Sequence, residues 1–320
     1  MSLFEIIKIP NLVSTFDAKL GEIIHEDLPI LSKIKAHVIE SGGKRIRPLT
    51  HYFLTQLLGY SGNEWKDVGA IAELIHGASL LHDDVVDGAE LRRGKKTIGA
   101  LHGNKTAILA GDYLLACGIE HLNKLHDPRL MDSYTRVIRD LAVGELIQME
   151  WEKNPEITIS IYEKVIYGKT ASLFGAVAET AGILSKSDTT LVSELRNFGE
   201  RMGMLFQKKD DYIDYFQDTK ESGKILLKDF SNGLYTYPIL LLLPKTKENE
   251  KKKIKTTLAK SKKNEKDFQF ILEIMDNYST KQTILSSLEE DVGFLLKFLS
   301  RFPSSSVKDL LVERIEGLLK

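Results

Sequence analysis

The chain has 320 residues, a single cysteine and a formal net charge of −1 from 44 basic and 45 acidic side chains. With 42% hydrophobic and 28% charged residues it can bury a large core, which excludes disorder as the main state. The balanced charge excludes a general electrostatic footprint for nucleic acid. Cys117 alone cannot form an intrachain disulfide or a cysteine zinc site, and it favours a reducing compartment.

The N-terminal sequence predicts no secretory signal. Glu5 precedes any basic residue, and residues 1–13 lack a long apolar stretch with a small-residue cleavage site. The densest apolar run, residues 239–243, is far too short to cross a bilayer. We therefore expect a cytoplasmic protein.

Helical periodicity runs through two long stretches without proline, residues 49–127 and 156–237. Apolar side chains recur three and four residues apart, as at Ile71, Leu74 and Ile75. No Asn-Gly or Asp-Gly pair is flanked by alternating valines and threonines, and no linker rich in proline, glycine and serine divides the chain. The sequence predicts an all-α fold, a large helical bundle in a single domain over residues 1–320.

Residues 245–266 contain ten lysines and three glutamates. A solvated helix pair or loop is the simpler interpretation of this lysine-rich segment. The alternative is a transient contact with the anionic headgroups of a membrane surface.

The pattern D-D-x-x-D occurs twice, at residues 83–87 and 210–214. Successive residues of a helix turn by about 100°, so all three aspartates of each pattern project from one side. Three like charges there repel one another unless a cation lies among them. Both patterns follow strongly apolar sequence, so we interpret them as the mouth of a lined cavity rather than as solvated acidic faces.

The ligand type of these clusters favours magnesium. Carboxylate oxygens without neighbouring cysteines or patterned histidines suit Mg²⁺ better than zinc. Mg²⁺ keeps several waters and shares its coordination with substrate phosphates. Two clusters facing one another would therefore clamp a diphosphate.

Basic residues flank both clusters and would meet the same diphosphate. They come from four segments of the chain: Lys44 and Arg47 beside Gly42 and Gly43, Arg92 and Arg93, Lys169, and Lys224. The net charge of −1 thus hides an acidic and a basic set that nearly cancel.

Five runs of sequence carry a family resemblance. They are GGKRIRP at 42–48, ELIHGASLLHDDVVDGAELRRGKKT at 73–97, GDYLLA at 111–116, GKTASLF at 168–174, and FQKKDDYIDYFQD at 206–218 with SGK after it. In order and spacing they resemble the trans-isoprenyl diphosphate synthases, over about residues 40–240. The resemblance implies the isoprenoid synthase fold, an all-α antiparallel bundle around a deep central cavity, usually a homodimer. It also implies three Mg²⁺ ions per active site, with Mn²⁺ as a substitute.

The resemblance assigns roles residue by residue. The metal ligands would be Asp83, Asp84, Asp87, Asp210, Asp211 and Asp214. Direct cations for the allylic diphosphate would be Arg92, Lys169 and Lys224, and isopentenyl diphosphate would be held by Lys44, Arg47, His76 and Arg93. Thr170 and Gln207 would line the reacting centre. His76 and His82 also fit the pattern of ordinary helix residues.

The implied reaction agrees with this inventory. Metal ions and cations stabilise the departing diphosphate, so the C–O bond of the allylic substrate ionises. The double bond of isopentenyl diphosphate attacks the cation, and a proton is lost. The released diphosphate can take that proton, which explains why the sequence shows no catalytic triad.

In the family that the chain resembles, the residues one turn before the first cluster set the floor of the cavity, and small residues there imply a medium or long product, from geranylgeranyl to octaprenyl. Ala78 and Ser79 lie about 6 to 7.5 Å deeper along the helix than Asp83, where an aromatic residue would stop chain growth. Residues 145–148 also resemble those of longer-chain members. A deeper floor from Leu115, Ile119 and Leu122 stays open.

Three residues depart from the family pattern. Lys208 lies three residues before Asp211 and would compete with metal if the two paired, Leu227 replaces a glycine, and Leu234 replaces a lysine. These departures motivate one alternative, a catalytically weak or regulatory subunit of a heteromeric synthase. The other is a class I terpene cyclase, which a second complete cluster and the GGKRIRP run disfavour.

Overall fold

The computed structural model describes residues 9–25, 28–40, 45–216 and 227–319. Within these ranges the chain is almost entirely helical, which confirms the predicted fold class. The helices, numbered in the order in which they are described, are α1 Ile9–Ile23, α2 Pro29–Glu40, α3 Ile46–Leu57, α4 Trp65–Val86, α5 Ile98–His102, α6 Asn104–Lys124, α7 Pro128–Trp151 and α8 Ile159–Ile166. A π-helical turn, Tyr167–Ala171, is followed by α9 Ser172–Leu184, α10 Thr189–Phe216, α11 Lys228–Asn232 and α12 Tyr237–Leu242. After a 3₁₀ turn, Leu243–Lys245, come α13 Glu248–Leu258, α14 Glu265–Asn277, α15 Thr280–Leu299 and α16 Ser306–Glu316.

The residue contacts divide the chain into two compact units. The first comprises the chain up to Arg139 together with Leu173–Gly199 and Phe302–Leu311. The second comprises Asp140–Ser172, Glu200–Arg301 and the chain from Val312. The single domain predicted from the sequence stays a prediction.

In the first unit, α4 packs lengthwise against α6. Gly111 of α6 allows the close approach, since a Cβ there would meet the His82 ring at 2.2 Å, and farther along α6 Gly118 lies beside Ile71, where a Cβ would make an ordinary contact at 3.7 Å. These pairings run antiparallel and bury the apolar stripe of α4, with Ile71 and Leu74 fully enclosed. The packing fixes the end of α4, where the first aspartate cluster lies.

A small hairpin follows α4 and was not predicted. Strands β1 Leu91–Arg92 and β2 Lys95–Lys96 pair antiparallel around Arg93 and Gly94. Both of these turn residues have positive φ, 51° and 78°, as the tight turn of a two-residue hairpin requires. The hairpin returns the chain toward α4 and so brings Arg92 to Asp84 of the first cluster.

In the second unit, α7 and the π-helical turn approach backbone to backbone. A Cβ on Gly168 would meet the Asp140 carbonyl oxygen at 2.5 Å and the Gly144 Cα at 2.7 Å. Only glycine fits at this crossing.

Of the helices within the described ranges, none combines the length and hydropathy of a membrane span.

Candidate active site

The first aspartate cluster ends α4. Asp84 is buried, Asp83 is partly exposed and Asp87, at the helix C-cap, is exposed. The Nε of Arg92 donates to the Asp84 Oδ1 at 2.7 Å. Arg92, predicted to meet a diphosphate directly, therefore also neutralises the buried member of the cluster.

Four predicted cationic or histidine residues share one electrostatic environment in the first unit. The Arg47 guanidinium lies 4.9 Å from the centroid of the Phe174 ring, and its buried Nε has no hydrogen-bond partner. Burial lowers the pKa of Arg47 to about 10, and the nearby Arg93 adds to this effect. The pKa of His76 is well below its usual value because of burial and because Arg47, Arg93 and Arg92 repel its proton. His76 is therefore neutral, in a positive pocket suited to an anion.

The His82 side chain packs against α6. Its Nε2 lies 3.1 Å from the Ile108 carbonyl oxygen and 3.4 Å from the Asp112 carboxylate, both on α6. Arg45, to which the sequence assigned nothing, is a buried anchor at φ 46°, with ion pairs of 2.8 Å to both Asp17 and Glu73.

The second cluster surrounds a carboxylate that is held by three donors. Asp211 is 5% exposed and accepts hydrogen bonds from Tyr162 Oη at 2.7 Å, Gln207 Nε2 at 3.0 Å and the Tyr237 backbone N–H at 3.1 Å. Burial nevertheless raises the pKa of Asp211 to about 6. Its neighbour Asp210 is exposed. The buried member thus fixes the cluster in place, and the exposed member faces outward.

Asp214 joins the cluster to a short helix. Its two carboxylate oxygens accept the backbone N–H groups of Lys228 and Asp229 at 3.1 and 3.0 Å, which caps the start of α11. Asp229 thereby reaches the cluster, and the sequence analysis missed it as a site residue. Burial and the charges of Asp211, Asp214 and Asp210 raise the pKa of Asp229 to about 7. The sequence gives little indication of this role, because Asp229 is 15 positions beyond Asp214 and nothing in the pattern between them places the two side chains together.

The segment Gly168-Lys169-Thr170 forms the π-helical turn, a geometry frequent at functional sites. Lys169 pairs with Glu145 on α7. Thr170 Oγ1 donates to Gln207 Oε1 at 3.1 Å, and Gln207 continues to Asp211. The structure therefore brings together the two residues predicted to line the reacting centre.

One predicted pairing is wrong, and two predicted residues lie outside the described ranges. Lys208 Nζ is 3.1 Å from Asp291 on α15, which also pairs with Arg201, so Lys208 does not compete for Asp211. Burial explains why Lys208 pairs with Asp291, because Asp291 is only 1% exposed and needs a cation.

Lys44 and Lys224 lie outside the described residues.

Leu227 stands at a backbone position that favours glycine. It has φ 59° and ψ 31°, immediately before α11, and its side chain is 6% exposed. For a residue with a Cβ this left-handed conformation costs about 1 kcal/mol. The burial of the leucine side chain offsets that cost.

The two residues of the predicted chain-length floor differ in burial. Ala78 is fully enclosed, whereas Ser79 is partly exposed and donates its hydroxyl to the His76 carbonyl at 2.9 Å. On α6, Leu122 is buried and Ile119 is 37% exposed.

The donor set of both clusters fits a hard divalent cation. Within the described residues no three acidic, histidine or cysteine side chains converge closely enough to hold a metal by themselves. Burial, and then the charges of Asp211, Asp214 and Asp210, raise the pKa of Asp229, and a cation would neutralise this concentration of negative charge.

Comparison with models of protein families identifies the family of this chain. The polyprenyl synthetase model matches residues 28–275. The chain belongs to the polyprenyl synthetase family. It is a prenyltransferase, a trans-prenyl diphosphate synthase that condenses isopentenyl diphosphate with an allylic diphosphate, as the resemblance predicted.

Individual relatives agree with this membership. The chain is 29% identical to octaprenyl diphosphate synthase of Escherichia coli over 92% of this chain and 91% of that one. It is 30% identical to a geranyl-diphosphate-specific all-trans-nonaprenyl-diphosphate synthase of Rhodobacter capsulatus, over 93% and 91%.

Solved structures show the same synthase fold. A decaprenyl diphosphate synthase from Rhodobacter capsulatus superposes with a TM-score of 0.89 at 30% identity, covering 96% of this chain and 94% of that one. A Caulobacter crescentus polyprenyl synthase, solved with calcium and isoprenyl diphosphate, gives 0.88 at 27% identity, covering 99% and 97%.

Proposed function

We propose that this synthase makes a medium or long all-trans polyprenyl diphosphate, from geranylgeranyl to octaprenyl. Two observations carry the proposal: the chain has two complete aspartate clusters, and arginines surround a buried, neutral His76. A cyclase has no second diphosphate to place in such a pocket. The small side chains of Ala78 and Ser79 and the names of the relatives support the chain length.

The proposed ligands divide between the two substrates. The allylic diphosphate is held through Mg²⁺, three ions in all, by Asp83, Asp84, Asp87, Asp210, Asp211 and Asp214, with Arg92, Lys169 and Lys224 in direct contact. Isopentenyl diphosphate is held by Lys44, Arg47, His76 and Arg93. The orphaned Nε of Arg47 supports this assignment, because a buried donor without an acceptor favours an anionic ligand.

The chain's own residues prepare the ionisation of the allylic C–O bond. When bound, Mg²⁺ supplies the positive charge that stabilises the departing diphosphate. Lys169 and Arg92 add charge on the protein side, each already paired with a carboxylate that sets its position. Thr170 and Gln207 form one chain of hydrogen bonds to Asp211 and orient the reacting end of the substrate.

His76 and the product diphosphate complete the reaction. Neutral His76 offers a hydrogen bond to isopentenyl diphosphate without adding to the repulsion among the arginines. After the new C–C bond forms, the released diphosphate accepts the proton, so no protein base is required.

We further propose that the chain acts as one domain and as a homodimer. Support for the dimer comes from α6, where Ile108, Leu109 and Ile119 expose 44%, 57% and 37% of their surface. Exposed apolar side chains grouped on one helix favour a protein interface.

The experiment is elongation by the purified protein with Mg²⁺, isopentenyl diphosphate and farnesyl diphosphate, with the products separated by chromatography. We expect a ladder ending between the geranylgeranyl and octaprenyl lengths, abolished by EDTA and by Asp210→Asn. The control Asp276→Asn removes the same charge from an exposed position of α14 and should retain activity. No elongation would support the regulatory subunit, and a cyclised hydrocarbon would support the cyclase.

A further inference from the structure

The lysine-rich segment forms one wall of a cavity in the second unit. The cavity has a volume of about 730 Å³ and is open to solvent. Its walls are the end of α11, the last turn of α13 and the chain just after α7. The polar side chains that matter here are Lys153, Lys255, Lys260, Ser231, Thr256 and Ser261.

The lining is chemically one-sided. Three ammonium groups are hydrogen-bond donors, the hydroxyls of Ser231 and Ser261 can also donate, and none of the described lining residues is acidic. The Thr256 hydroxyl already donates to the Lys252 carbonyl at 2.8 Å. A solvated surface usually mixes both charge signs, so a concave lining of this kind is suited to oxygen anions.

A fourth lysine increases the positive potential at the edge. Lys263 Nζ donates to the carbonyl oxygens of Ser231 at 3.1 Å and Lys260 at 3.0 Å. Burial lowers the pKa of Lys263, and the charges of Lys260 and Lys153 lower it further against the opposing effect of Asp267. The ammonium groups are thus close enough to repel one another, and an anion between them would relieve that repulsion.

Carboxylates outside the lining already pair with these cations. Lys260 Nζ donates to Asp267 Oδ1 at 2.5 Å, and Lys153 Nζ lies 4.0 Å from Glu152 Oε1. Lys255 Nζ donates to Glu156 Oε1 at 2.7 Å, although the Glu156 side chain is 77% exposed. Burial and then the charge of Glu156 raise the pKa of Tyr235, at the cavity wall, to about 12. Glu156 is therefore an internal anion beside the cavity. Because its side chain is exposed, it can rotate away from Lys255 at a small cost in free energy.

We propose that this cavity is a second anion site, which binds a phosphate-bearing ligand through Lys153, Lys255 and Lys260 in exchange for Glu156. The site is separate from the substrate diphosphate sites proposed above and uses none of their residues. The ligand's oxygens take up the donors of Ser231 and Ser261, so the recognised chemistry is a phosphate or diphosphate group.

The test is calorimetric titration of the full chain with inorganic diphosphate in EDTA. The double variant Lys153→Gln, Lys255→Gln should weaken binding at this site at least tenfold, and Glu156→Gln should tighten it about threefold. The double variant Lys252→Gln, Lys281→Gln and the single variant Glu248→Gln make the same charge changes at exposed positions outside the lining and should leave the affinity within a factor of two. Circular dichroism of each variant checks its fold.

The proposal is overturned if the double variant binds diphosphate with unchanged affinity and stoichiometry, or if Glu248→Gln tightens binding as much as Glu156→Gln. A second arm distinguishes the source of the phosphate, using sedimentation with phosphatidylglycerol and phosphatidylcholine vesicles. If the protein cosediments with the anionic vesicles and diphosphate reverses this, the cavity binds a lipid headgroup. Diphosphate binding without cosedimentation assigns it to a free anion.

Discussion

Asp214 accepts the backbone N–H of Asp229 at 3.0 Å, so a member of the second aspartate cluster is also the cap of the helix that brings a further carboxylate beside it. Because a cap contributes about 1 kcal/mol, Asp214→Ala should lower the free energy of unfolding by that amount. Asp210→Ala removes an exposed carboxylate of the same cluster and should change stability by less than about 0.5 kcal/mol. Urea unfolding at pH 5.5, where Asp229 is largely protonated, compares the two. Equal losses would contradict the capping role, whereas both variants should lose elongation activity.

The raised pKa of Asp229 predicts a pH-dependent stability of the metal-free protein. Its folded value of about 7 lies above the ordinary 3.8, so the folded state holds this proton more tightly than the unfolded chain does. Stability should therefore fall as the pH rises from about 4 to 7. Between pH 5.0 and 7.5 in EDTA, we expect the wild type to lose about 1 to 2 kcal/mol more than Asp229→Asn. Parallel profiles for the two proteins would refute the raised pKa of Asp229, and added Mg²⁺ should restore the stability of the wild type at pH 7.5.

The crossing of Gly144 and Gly168 predicts opposite effects for two glycine substitutions. Gly168→Ala places a Cβ 2.5 Å from a backbone oxygen, so α7 must shift, at a cost of about 2 to 3 kcal/mol and with reduced elongation because Lys169 moves. Gly293→Ala in α15 meets nothing within 4 Å and should stabilise the helix by about 0.5 to 1 kcal/mol. Thermal unfolding and initial rates measure both. A neutral Gly168→Ala would mean that the close approach is not required.

The ion pairs of Asp291 predict unequal costs for removing its partners. Asp291→Asn leaves the Lys208 ammonium buried without a carboxylate and should cost about 3 kcal/mol. Lys208→Met leaves Arg201 paired with Asp291 and should cost about 1 kcal/mol. The elongation rate of Lys208→Met should stay within about twofold of the wild type. A large increase in that rate would revive the competition with metal that the sequence suggested.

Product length should respond differently at the two floor positions. Ser79 is partly exposed, so Ser79→Phe should shorten the product with a small change in stability. Ala78 is fully enclosed, so Ala78→Phe should cost about 1 to 3 kcal/mol through overpacking as well as shortening the product. Chromatography of the reaction products and thermal unfolding separate the two effects. If neither variant changed the product distribution, the floor would lie elsewhere, with Leu115, Ile119 and Leu122 as the next candidates.

Much of the fold and of the site was predictable because the signals are local. The 3.6-residue apolar period gave the helices, and the i, i+1, i+4 spacing placed Asp83, Asp84 and Asp87 together at a helix end. Contacts between distant residues were not predictable in this way. Lys208 and Asp291 are 83 positions apart, and nothing near either one marks the other as its partner.

Unusual backbone conformations were the other feature that the sequence did not predict. The hairpin turn at Arg93 and Gly94 carries none of the Asn-Gly or Asp-Gly pairs that usually mark such turns, so its strands escaped prediction. Leu227 stands in a left-handed conformation that its side chain alone would disfavour. In both cases tertiary packing overrides the local preference of the residue.

The π-helical turn also changes how neighbouring helix faces align. A wider turn takes up an extra residue, which rotates every later side chain by about 100° relative to an uninterrupted α-helix. A helical wheel drawn continuously from Ile159 to Leu184 would therefore assign the positions after Tyr167–Ala171 to the wrong sides. Deleting one residue here would be more damaging than most substitutions, since it would move Lys169 and Thr170 out of phase with the helices that follow.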